Sequence, residues 1–167
     1  MSKTATYSLI ASYTVPSATA NYTFSSIPAT FTDLVLVATP LTASPANFSF
    51  QFNGDTGSNY SATGLAGNGS GTFSWRQINS TVPYLGYYSY SDTNQSNNII
   101  SIMDYSNTTT NKSFIARANN ATAATEAIAG LWRNTAAINS IKVLFTGGAN
   151  FNSGSTFKLY GIQAGSI

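Results

Sequence analysis

Phe48, Phe50 and Phe52 alternate with Ser49, Gln51 and Asn53, the period-two pattern of a strand with one buried face. Three phenylalanines on one face predict a large part of the core. Leu34-Val35-Leu36-Val37-Ala38-Thr39 is apolar at consecutive positions, as a strand covered on both sides must be, and is the predicted central strand. Residues 6–15 read as a first strand with Tyr7, Leu9, Ala11 and Tyr13 on one face, ended by Pro16. Residues 21–25 predict a second, short strand. Further strands are predicted at 72–78, 99–105, 113–118 and 127–132, the runs at 99–105 and 113–118 joined as a hairpin. Near the end, Ile141, Val143 and Phe145 share one face, and Phe157, Leu159 and Gly161 another. These two runs flank the Gly/Asn/Ser stretch 147–154, which predicts a hairpin with a wide loop and Trp132 buried beside it.

Turn-forming residues divide the runs. Residues 53–61 (Asn-Gly-Asp-Thr-Gly-Ser-Asn-Tyr-Ser) read as a turn, 62–71 as an exposed loop and 92–98 as a polar loop. Residues 119–126 read as a loop, with a short Thr-capped helix as the alternative. Residues 1–5 are expected to form a flexible N-terminal arm. Short strands with turn signals every ten residues or so, without βαβ alternation or an internal repeat, predict an all-β fold: a single-domain antiparallel β-sandwich of jelly-roll type over residues 6–167.

Composition sharpens this picture. Charged residues make up only 7% of the chain, and polarity comes from Ser, Thr and Asn, which suit β surfaces and turns rather than helix surfaces. So little charge, with 43% hydrophobic residues, leaves weak repulsion between copies and predicts that part of the surface is an assembly interface. At 167 residues the chain is long enough to bury a core unaided.

The chemistry available is narrow. With no cysteine and no histidine there is no disulfide, thiolate nucleophile, histidine-dependent triad or common zinc site. The five acids, Asp33, Asp55, Asp92, Asp104 and Glu126, form no paired motif of the kind glycan hydrolysis needs. The expectation is a protein that is not an enzyme and takes no cofactor. Asn53, Asp55 and Asn59 could offer oxygens to calcium, but a single carboxylate with no closing Glu favours a structural turn. The seven basic residues are scattered, so no nucleic-acid surface is visible. No signal peptide or membrane-length apolar run is present, and cytoplasmic synthesis without membrane insertion is expected. The Asn-X-Ser/Thr triplets, such as Asn47-Phe48-Ser49, follow from composition rather than marking glycosylation.

One cluster suits recognition. Trp75, Arg76, Tyr84, Tyr87 and Tyr88 could stack on a sugar or anchor a protein partner, although tyrosines in β-proteins commonly serve as core and strand surface.

Two stretches carry a resemblance. Ser26-Ile27-Pro28, Phe31-Thr32-Asp33, Leu34-Val35-Leu36-Val37 and the loop at 53–61 lie in the first. Trp132, Thr135-Ala136-Ala137-Ile138-Asn139-Ser140-Ile141, Phe151, Gly154-Ser155 and Leu159-Tyr160-Gly161-Ile162 lie in the second. Together they resemble virion proteins of tailed phages, including those of cyanobacteria: sandwich or jelly-roll proteins of tail fibres, knobs, horns and capsid decorations. The resemblance implies a virion structural protein. Without heptads or an attachment segment, the architecture favours a capsid decoration (cement) protein, a homotrimer whose partners are itself and the major capsid protein or other virion proteins. The alternative is a tail fibre, adaptor or receptor-binding domain that contacts host envelope glycan.

Overall fold

The computed structural model describes residues 6–86, 96–120 and 122–163. Eleven strands are present among them: β1 Tyr7–Thr14, β2 Asn21–Phe24, β3 Asp33–Thr39, β4 Phe48–Phe52, β5 Tyr60–Gly67, β6 Thr72–Ser80, β7 Asn97–Ile102, β8 Lys112–Asn120, β9 Ala124–Trp132, β10 Ile141–Phe145 and β11 Thr156–Ile162. They form an antiparallel β-sandwich of two unequal layers. The large sheet runs β1-β11-β3-β7-β8-β9-β5-β6 and the small sheet β2-β10-β4. The first strands alternate between layers and pair with the last ones, β1 and β3 with β11, β2 and β4 with β10.

The core lies where the small sheet covers the large one. Phe48, Phe50 and Phe52 of β4 are fully buried, as their spacing predicts, and face Leu34 and Leu36 of β3, Phe157 and Leu159 of β11 and Phe114 of β8. Aromatic rings bridge the layers: Phe50 meets Phe114 edge-on with centroids 5.1 Å apart, and Tyr13 of β1 stacks on Tyr22 of β2 at 3.9 Å. Ser49 and Gln51, on the opposite face of β4, are buried as well. Residues 81–86 cross that face, where Ser49 Oγ donates to the Pro83 carbonyl at 2.6 Å and Gln51 Nε2 to the Thr81 carbonyl at 3.2 Å.

Several sequence expectations are corrected. β10 and β11 are not a hairpin: β10 belongs to the small sheet and β11 to the large one. Alternation tells which side chains of a strand are buried but not which strand lies beside it. Here Phe145, Phe151 and Phe157 meet between the layers, with centroids 4.6 Å and 4.8 Å apart along the series, so the connecting loop turns across the sandwich edge. Residues 62–71 are not an exposed loop, because most of them form β5, paired on both sides by β6 and β9. Its alanines and glycines carry little strand propensity, and pairing with two neighbours overrides it. β1 does not keep one face: a bulge between Leu9 and Ala11 leaves Tyr7 and Leu9 exposed and turns Ala11 and Tyr13 toward the core. Trp132, fully buried as expected, packs against Phe52 and Tyr60 rather than beside a terminal hairpin.

Within the stretch expected to be a loop, residues 119–120 end β8 and 124–126 open β9, with Ala123 N–H donating to the Asn120 carbonyl at 2.9 Å between them. The predicted pairing of β7 with β8 is present.

Candidate functional site

The aromatic candidates begin on β6, an edge of the large sheet. Because side chains alternate along a strand, Trp75 faces the interior side and Arg76 the opposite, outer face. Trp75 is seated by three neighbours. Its indole lies on Gly64 of the paired strand, where a Cβ would come within 2.5 Å of the ring. Its Nε1 donates to Glu126 Oε2 at 2.9 Å, and Tyr84 meets it edge-on at 4.9 Å. Glu126 is 3% exposed, and Gly86, at φ +104, approaches so closely that a Cβ would lie 2.0 Å from Oε2. The arrangement clasps residues 81–86 to the uncovered end of the large sheet. A groove of about 350 Å³ lies between Trp75, Arg76, Gln77 and Tyr84. Tyr87 and Tyr88 lie outside the described residues.

The oxygen-rich loop is a turn. Asn53 and Gly54 have φ of 52° and 67°, and Asp55 N–H closes the turn on the Phe52 carbonyl at 2.9 Å. Asp55 accepts three donors: Trp132 Nε1 at 2.6 Å, Asn59 Nδ2 at 2.9 Å and Gly57 N–H at 2.7 Å. Partial burial works to raise its pKa, but the bonds from Trp132, Asn59 and Gly57 outweigh that and hold it below the usual carboxylate range. Asn53 is engaged too, donating to the Ala137 carbonyl and accepting from Asn139 N–H. The oxygens thus serve the chain's own donors. Among the described residues no group of three or more acids is placed to hold a metal ion.

The other acids and bases are spread out. Asp33 Oδ1 accepts Asp104 N–H at 2.7 Å, a contact between residues far apart in sequence. Lys112 is 1% exposed and donates to the Thr110 and Thr135 carbonyls, and burial lowers its pKa against the opposing charge of Asp104. Arg133 donates to Ser61 Oγ, the Ser58 carbonyl and Asn79 Oδ1, tying the 53–61 turn to β6.

Sequence reasoning missed the broadest feature, the outer face of the large sheet. Strand register aligns Lys158, Val37, Ile99, Arg117, Ala127 and Leu65 in one row across it. The next row holds Tyr160, Val35, Ser101, Ile115, Ala129 and Thr63, ending at Arg76. Leu65 is 66% exposed, Ile115 55% and Leu9, at the far edge, 56%. Two shallow grooves mark this face. One, of about 690 Å³, lies along Leu65, Arg117 and Ala127; the other, of about 280 Å³, along Thr63, Arg76, Ile78 and Ala129. The signal was present as outward apolar residues at every second position of several strands, but only the strand order makes them neighbours.

No protein-family model matches this chain, and no curated protein matches it.

Proposed function

We propose that this chain is a structural protein of a tailed-phage particle, a capsid decoration or cement protein that acts as a homotrimer on the head. The observation that carries the reading is the broad outer face of the large sheet, where Leu65 and Ile115 stand exposed in adjacent cross-strand rows on a chain with few charges. The resemblance of residues 24–61 and 132–164 to phage virion proteins supplies the particle. The mechanism is linkage: a protein that binds only the assembled shell stabilises it by RT ln(1 + [L]/Kd) per site, roughly 2.7 kcal/mol at a hundredfold excess over Kd.

Two measurements test this. Quantitative mass spectrometry of purified virions is expected to find this chain at a copy number comparable with the major capsid protein, and a small fraction would move it to the tail. Heads lacking it are expected to open at lower temperature than complete heads. Equal heat resistance would remove the clamping role.

A second reading rests on the groove between Trp75 and Tyr84. In a tail fibre, adaptor or receptor-binding domain it would stack on host envelope glycan, with many weak contacts made strong by multivalency. In that case Trp75→Ala abolishes binding of the purified protein to host cells while leaving its melting curve cooperative. Unchanged cell binding by this variant would exclude Trp75 as the contact.

A further inference from the structure

We propose that the outer face of the large sheet docks a protein surface that is apolar at its centre and bears carboxylates, and that it does not pair with a second copy of this chain. In the virion reading that surface is the capsid shell; the inference rests on that reading for the partner's identity but not for its chemistry.

The argument is charge complementarity. Arg117 and Lys158 stand in one cross-strand row and Arg76 at the end of the next. Among the described residues none of their side chains has a hydrogen-bond or ion-pair partner. Each is three strands from the next along the sheet, roughly 14 Å at the usual strand spacing. Each arginine lines one of the two grooves, among Leu65, Ala127, Ala129 and Ile78.

Among the described residues no acid offsets them, Asp104 lying beside Asp33 and Lys112. Asp33 sits at the margin of this face and accepts Asp104 N–H, Glu126 is buried on the interior side, and Asp55 is engaged with Trp132. Two copies meeting face to face would bury unpaired cations against cations, an arrangement that costs several kcal/mol. A partner with carboxylates at matching spacing gains charge pairs where the self-pairing loses them. Eight strands span roughly 34 Å, and two to three side-chain rows give an area on the order of 700 Å², close to the ~800 Å² per partner of a standard stable interface. Nucleic acid fits less well, since apolar side chains fill the intervals where phosphates would need donors.

The test uses the purified full chain and three variants, each first shown to melt like the wild type. Arg76→Glu with Arg117→Glu reverses charge on the outer face. Leu65→Ser with Ile115→Ser removes apolar surface there at constant charge. Lys142→Glu with Asn21→Glu and Thr23→Glu makes the same net charge change on the small sheet. Each is passed over a mixed monolayer of methyl- and carboxylate-ended thiols, with binding read by surface plasmon resonance. The wild type and the small-sheet variant are expected to bind alike, and both outer-face variants about tenfold more weakly, the charge effect shrinking as salt is raised.

Equal binding by all four, or equal loss in the small-sheet variant, overturns the proposal. So does self-association in sedimentation that the outer-face variants abolish, which would assign the face to a second copy. Rebinding to purified phage heads stripped of this chain separates the two readings. Heads that take up wild type and outer-face variants equally keep the virion reading and remove this docking surface. If the chain is absent from virions, the virion reading falls and the monolayer result decides the chemistry.

Discussion

Phe50→Ala is expected to lower stability by about 4 kcal/mol, within the 3–5 kcal/mol typical of fully buried aromatic truncations. Phe50 is fully buried at the centre of β4, 4.8 Å from Phe52 and 5.1 Å from Phe114 by ring centroid. The contact with Phe114 reaches from the small sheet to the large one, so the cavity would open between layers rather than within one. Pairing with β10 along the whole of β4 fixes the backbone, and collapse around the void is limited. Phe50→Leu, which keeps most of the volume, should cost about 1–1.5 kcal/mol. Equilibrium denaturation in urea, read as a midpoint shift at constant slope, measures both. A loss below about 1 kcal/mol for alanine would mean that the two layers do not depend on each other as this packing requires.

Asp55→Ala is expected to cost about 3 kcal/mol, from a carboxylate that satisfies several donors at once. Trp132, with no exposed surface, would keep a buried indole N–H without an acceptor, and the turn at 53–61 would lose the bonds from Asn59 and Gly57. Asp55→Asn isolates the charge. The folded-state pKa lies below the 3.8 of the free side chain, so the unfolded chain binds the proton first as pH falls. The carboxylate's contribution is therefore complete above about 3.8 and is lost as pH falls through the depressed folded value. The stability gap between wild type and Asp55→Asn should be constant at neutral pH and close at acidic pH, measured by denaturation at several pH values. A gap that does not narrow as pH falls below about 3.8 would mean that shape rather than charge holds Trp132.

The local pattern was enough to place most strands. Period-two alternation located β4 and β11, the apolar run located β3, and the pairing of β7 with β8 followed from a short polar turn between two β-rich runs. Each of these depends on residues close in sequence, where burial and backbone preference coincide. β5 escaped because its alanines and glycines are there to fit under other groups, Gly64 beneath the Trp75 indole above all. Of the recognition candidates, Trp75 and Tyr84 are in contact and Arg76 lies on the opposite face, a separation already implied by adjacent positions on one strand.

By itself, then, the sequence determined the class: little charge, no thiol or imidazole chemistry, strands of one-sided alternation, and a core rich in phenylalanine. Tertiary structure alone decided which strands are neighbours. It sent β10 and β11 to different sheets, brought Asp55 to Trp132 and Trp75 to Glu126, and assembled Arg76, Arg117 and Lys158 on one outer face. The physical reason is that hydrophobic alternation specifies a buried side without naming what covers it. Register and strand order come from long-range packing, where the whole chain competes for the same interior.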